Sequence, residues 1–128
     1  MKNKISILII VVGLAFTFSV VYSFYTIYQS VSEVSARAKS DFGFDTVESL
    51  IALIESDTFS YFDKNKAIWA LGQIGDKRAL PLLNQLDTDE IQKKPLNSRN
   101  YIVQHTVEKA IKQINSDFIA TRWMYKNI

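Results

Sequence analysis

Hydrophobic and polar positions divide this chain near Tyr28. From Ile5 to Tyr28 there is neither a charged side chain nor a proline, and the stretch from Ile7 to Phe16 is continuously apolar. At about 1.5 Å per residue such a segment, as a helix, exceeds the roughly 30 Å hydrocarbon core of a bilayer, and a modest tilt absorbs the excess. Tyr22, Phe24, Tyr25 and Tyr28 gather at its far end, where amphipathic rings favour the headgroup region. The pattern predicts a membrane helix. The alternative is a cleaved signal peptide, with Lys2 and Lys4 as the basic leader and Val21 and Ser23 as small residues before a cut. The run is long for that, and the aromatics after Ser23 make a poor mature N-terminus.

Beyond the apolar run the period changes to that of amphipathic helices. Ala67, Ala70, Leu71 and Ile74 follow i, i+3, i+4, i+7, one face of a helix, with Asp63 as the predicted N-cap. Gly75-Asp76 breaks this helix, and Asp76 is placed to cap the next, whose core face is Ala79, Leu82, Leu83 and Leu86. The two helices form a hairpin. Trp69 lies about 200° around the helix from Ala67, off the apolar stripe, so it either packs on a neighbouring hairpin or stands exposed as an anchor for a partner.

The stretch Ala70-Leu71-Gly72-Gln73-Ile74-Gly75-Asp76, followed by Arg78-Ala79-Leu80-Pro81-Leu82-Leu83, resembles the HEAT-like repeat named after phycobilisome lyases. That resemblance implies roles for four residues. Gly72 allows close helix packing, Gly75 ends the first helix, and Asp76 and Pro81 sit at the start of the second. It also implies an α-solenoid, a stack of helical hairpins, so neighbouring units are sought at a period of roughly 20 to 50 residues. A shift of about 32 residues aligns Val47, Leu50, Ile51 and Ile54 with the second helix, and Ser35 to Gly43 with the first, although Lys39 falls where Leu71 is apolar. That first stretch either belongs to the earlier unit or continues the membrane helix as a stalk. A forward shift of about 40 aligns Val107, Ala110, Ile111 and Ile114, where Lys112 and Asn115 replace the glycines, so this unit rests on periodicity alone. Asp117 to Lys126, with Phe118, Arg122, Trp123 and Tyr125, then reads as a short closing helix.

The expected fold is all-α: an N-terminal transmembrane helix over residues 1–28, a linker or stalk helix over 29–43, and a HEAT-like domain over 44–128. The domain holds about two and a half to three hairpins, near the smallest stack that buries a continuous core.

Charge and composition narrow the function classes. Setting Lys2 and Lys4 aside, the basic count of 15 falls to the acidic count of 13, so the net charge of +2 belongs to the leader and the body is neutral. No basic face is available to neutralise phosphates, which argues against nucleic acid. Lys2 and Lys4 before the apolar run favour a cytoplasmic N-terminus. The repeats then lie outside the cytoplasm, on the periplasmic side in a bacterium. The absence of cysteine excludes disulfides, thiolate zinc sites and thiol nucleophiles.

Little else points to catalysis. His105 is the single histidine, with Ser98, Thr106 and Glu108 near it in sequence, and it reads as a surface residue in the absence of a nucleophile-elbow or phosphate-loop motif. Asp87, Asp89 and Glu90 form an acidic cluster without the glycine and distal glutamate of a calcium loop. The connection from Asp87 to Arg99, acidic at its start and basic at Lys93, Lys94 and Arg99, is either a contact loop or a neutral insertion. The chain is thus expected to bind another protein at the membrane, without cofactor, metal or small-molecule ligand. The candidate contacts are Trp69, Lys93, Lys94, Arg99, Arg122, Trp123 and Tyr125. Two alternatives stay open: a structural small subunit of a membrane complex, and a lyase-type role that the resemblance implies, acting on a chromophore-bearing or other protein.

Overall fold

The computed structural model describes residues 2–88, 104–116 and 119–128. Among the described residues the chain is all-α, with five α-helices, two 3-10 turns and no strand: α1 Lys2–Phe42, α2 Thr46–Glu55, α3 Tyr61–Ile74, a 3-10 turn Lys77–Ala79, α4 Leu80–Thr88, α5 Gln104–Asn115 and a closing 3-10 turn Arg122–Tyr125.

The helix ends follow from local chemistry. No proline interrupts α1, and it stops where Gly43 adopts a left-handed φ of 73°, its N–H donating to the Lys39 carbonyl at 2.8 Å. Gly75 ends α3 in the same way, with φ 72° and a 2.9 Å bond to the Leu71 carbonyl. Asp45 caps α2 by accepting from the N–H groups of Val47 and Glu48, and Asp76 caps the following turn by accepting from Arg78 N–H. Pro81 sits in the first turn of α4, where its missing N–H removes no helical bond. One expected cap is different. Asp63 is not the N-cap of α3; Ser60 is, accepting from Asp63 N–H while its own hydroxyl donates to the Asp63 carboxylate at 2.7 Å. Ser60 stands at the true boundary and Asp63 completes the cap from within the first turn.

The paired terminators also define the repeats. Gly43 and Asp45 play for α1 and α2 the parts that Gly75 and Asp76 play for α3 and α4. The C-terminal part of α1 is therefore the first helix of the first hairpin. Val31, Val34 and Ala38 project from it into the core beside Val47, Leu50, Leu53 and Ile54 of α2. The stretch 29–43, expected as linker or stalk outside the domain, is continuous with the apolar helix and packs in the core as well. Lys39 is accommodated at the position of Leu71 because that side of the terminal helix faces water.

Helix α3 lies at the centre, packed against α1, α2 and α5. It buries Ala67, Ile68, Ala70, Leu71, Gly72 and Gln73, most of its circumference. A Cβ on Gly72 would stand 2.9 Å from the Cα of Ala110, so α5 seats at a distance only glycine permits. Helix α5 contributes Val107, Ala110 and Ile114 to the core, with Ile111 packed at its edge.

Over its described residues, 119–126, the expected closing helix is instead a single 3-10 turn at Arg122–Tyr125. Asp117 and Phe118 lie outside the described residues. Thr121 donates to the Gln73 side-chain oxygen at 2.9 Å and Tyr125 is drawn into the core at 7% exposure, so the backbone here follows tertiary contacts rather than a helical period.

Candidate interaction surfaces

The first surface is the N-terminal part of α1. Large apolar side chains from Ile5 to Tyr25 are exposed around the whole circumference, among them Leu14 at 66% and Phe18 at 74%. A core helix of a soluble domain would be covered, whereas none of the apolar window here is buried by the rest of the chain. Thr17 and Ser23 return their hydroxyls to the carbonyls of Gly13 and Ser19 at 2.9 Å, satisfying those polar groups within the helix. This one helix is long and apolar enough to cross a membrane.

Where that exposed part meets the core, Tyr28 stacks on Tyr125 with centroids 6.0 Å apart and planes at 9°. The Tyr125 hydroxyl is buried without a hydrogen-bond partner, and burial, with a smaller contribution from Tyr28, pushes its pKa up to about 12. Tyr125, expected as a partner contact, is thus a core residue, because a stacking partner from α1 covers it. In the same turn Trp123 is 72% exposed, and the Arg122 guanidinium donates to the Gly75 carbonyl at 3.3 Å.

A second cluster joins the first two hairpins. The Arg78 guanidinium lies 2.7 Å from Asp45 and 3.1 Å from Asp76, the caps of successive units, with Glu48 at 3.5 Å. The hydrogen bond from Arg78 holds the Asp45 carboxyl below the usual carboxylate pKa. Partial burial would raise Asp76, but Arg78 outweighs it and Asp76 is lowered too. Arg78 is correspondingly raised, by Asp45 first and Asp76 second. The cluster borders an open groove of about 520 Å³ that Arg122 and Tyr125 also line. Arg37 with Asp63 and Lys66 with Glu33, each at 3.0 Å, tie α1 to α3.

The third surface is an open groove of about 730 Å³ along the outer face of α5, lined by Gln73, His105, Glu108, Lys109, Lys112, Gln113 and the 119–121 segment. Its wall combines mainly apolar surface with side chains of both charges. No cluster of three metal-ligating side chains occurs among the described residues.

The expected contacts therefore scatter. Arg122 and Trp123 share the closing turn with the buried Tyr125, while Trp69 lies half-buried on α3, packed against the core rather than standing free. Lys93, Lys94 and Arg99 lie outside the described residues, as do Asp89, Glu90 and Ser98. Asp87 is described, and its carboxylate accepts from the Gln104 side-chain amide. Two features were missed in the sequence: the groove on α5, whose exposed residues have no signature beyond polarity, and the bridging role of Arg78, for which the aspartates at both caps were a legible signal.

Residues 64–89 match the family model of the PBS lyase HEAT-like repeat, a span that takes in most of α3 and α4. The chain matches no curated protein and no solved structure. The segment that carries Gly72, Gly75, Asp76 and Pro81 is thus a HEAT-like helical repeat, a type of unit that generally mediates protein interactions.

Proposed function

We propose that this chain is a non-catalytic, membrane-tethered module that presents a short HEAT-like stack to a protein partner at the bilayer surface. One observation carries the reading: α1 is at once the uncovered apolar helix and the first helix of the first hairpin. Inserting the apolar part in a bilayer removes its exposed side chains from water and fixes the repeats beside the headgroups without a flexible joint. Lys2 and Lys4 keep the N-terminus cytoplasmic in this reading, with the repeats on the opposite side. The groove along α5 is the face offered to the partner. Its mixed charges at Glu108, Lys109 and Lys112 give specificity more than raw affinity, and its length along a helix suits an extended or helical segment.

The test is photocrosslinking in native membranes from positions 105 and 113, which line the same groove, followed by affinity purification of the detergent-solubilised complex. A reproducible protein adduct, lost in the Lys109→Glu, Lys112→Glu double variant, supports the reading. Failure to sediment with membranes removes the tether. Adducts that do not depend on the two lysines remove the α5 face.

A further inference from the structure

The repeats do not merely hang from the helix; their closing turn is placed at the end of it. Tyr28 closes the apolar run, and Val31, three residues on and about 4.5 Å further along the axis, is already fully buried in the core. Phe24, Thr26 and Ile27 are themselves partly buried, while Tyr22 and Tyr25 on the same turns stay exposed at 60% and 57%. The body thus begins alongside the last aromatic turns of the apolar segment, with no break in α1 before Gly43 to let it swing away. The Tyr28–Tyr125 stack pins the turn Arg122–Tyr125 to this level. Within that turn Trp123 is the large apolar side chain the fold leaves uncovered, at 72% exposure, with the exposed Lys126 nearby and Arg122 beside it turning its guanidinium back on the Gly75 carbonyl.

From this placement we infer that Trp123 and its flanking cations dock the repeat body onto the headgroup layer of the bilayer that α1 crosses. The inference rests on the reading of α1 as a membrane span and adds a second attachment point to it. An indole ring has an apolar body and one N–H donor, the combination that favours the interface over either water or hydrocarbon, and Tyr22 and Tyr25 supply the same chemistry from α1. Lys126 meets lipid phosphates, while the Arg122 guanidinium, turned back onto the Gly75 carbonyl, adds only its positive charge nearby. Together the span and the turn hold the body at two points, which fixes the rotation of the α5 groove relative to the membrane plane.

The chain carries two tryptophans, Trp69 and Trp123, so fluorescence can isolate the second without disturbing the core. The full chain and its Trp123→Phe variant are reconstituted into mixed phosphatidylcholine and phosphatidylglycerol vesicles whose acyl chains carry bromine near the headgroup or deep in the bilayer. A third protein adds Val12→Trp to the Trp123→Phe background and reports on the span itself. The expected result is that the Trp123 share of the emission is quenched by shallow bromine more than by deep bromine, and that Val12→Trp shows the reverse order. Quenching of Val12→Trp without quenching of Trp123 overturns the docking and leaves the span standing. If Val12→Trp is not quenched either, the span and the docking fall together. A Trp123 shielded from both bromine and aqueous iodide is covered by protein, which also overturns the inference.

Discussion

Arg78 reaches back across the boundary between hairpins to grip Asp45, with Nη1 2.7 Å from one carboxylate oxygen and Nη2 3.3 Å from the other. Asp45 is the N-cap of α2, and the same guanidinium also holds Asp76, the equivalent cap one unit later. A single cation therefore organises two helix starts, and the bidentate geometry requires arginine.

The clamp makes stability depend on acid pH. Both carboxyls have folded pKa values below their ordinary value of 3.8, so their contribution is present above that pH and lost as pH falls through the lowered values. Arg78→Met is expected to destabilise the fold at pH 7, and the gap to the native chain should narrow below pH 3.8. Urea unfolding in detergent at pH 7 and at pH 2.5 measures it. An equal gap at both pH values would refute the electrostatic account and leave only lost packing.

The two left-handed glycines should respond unequally to alanine. Gly43→Ala meets open space and suffers only the backbone strain of a left-handed residue, about 1 kcal/mol. Gly75→Ala carries the same strain and also presses a methyl on the ends of the Ile119 and Arg122 side chains, which must turn aside at an added loss of about 0.5 to 1 kcal/mol. Thermal unfolding followed by circular dichroism ranks the pair. Equal losses would show that the closing segment does not seat on Gly75.

Gly72→Ala sets two effects against each other. Helix propensity gains about 1 kcal/mol, while the new methyl presses on the Ala110 backbone, an overpacking worth about 1 to 3 kcal/mol. Because backbone cannot rotate away, the clash is expected to win, with a net loss of up to about 2 kcal/mol. A stabilised variant in chemical denaturation would show that α5 can retreat freely from α3.

Tyr125→Phe removes a buried hydroxyl that has no partner and keeps the ring that stacks on Tyr28, so stability at pH 8 should hold or rise. The native chain should also weaken at high pH. The unfolded phenol ionises near its ordinary 10.0 while the folded one keeps its proton to about 12, so the favourable contribution is full below pH 10 and disappears by pH 12. Unfolding of both proteins at pH 8 and pH 11 reads this directly, and the advantage of the variant should grow at the higher pH. A constant difference would mean that the hydroxyl reaches water.

Much of the architecture was legible in the amino-acid order because it depends on local rules. An uncharged run from Ile5 to Tyr28 sets the length and exposure of an apolar helix whatever else the chain does. Helical period and the Gly75-Asp76 pair set the end of α3 and the start of the turn into α4, since a left-handed glycine and a capping carboxylate act within a few residues of themselves. Tertiary structure decided what covers each face. Lys39 at a core register argued for a stalk, yet Val31, Val34 and Ala38 beside it pack inward, because a terminal helix needs only one apolar side. Tyr125 and Trp123 look equivalent in sequence, but one is buried by Tyr28 from the far end of the chain and the other is left exposed. Periodicity states which side chains share a face; only the folded chain, by bringing distant elements together, settles whether that face meets protein or is left for something else to cover.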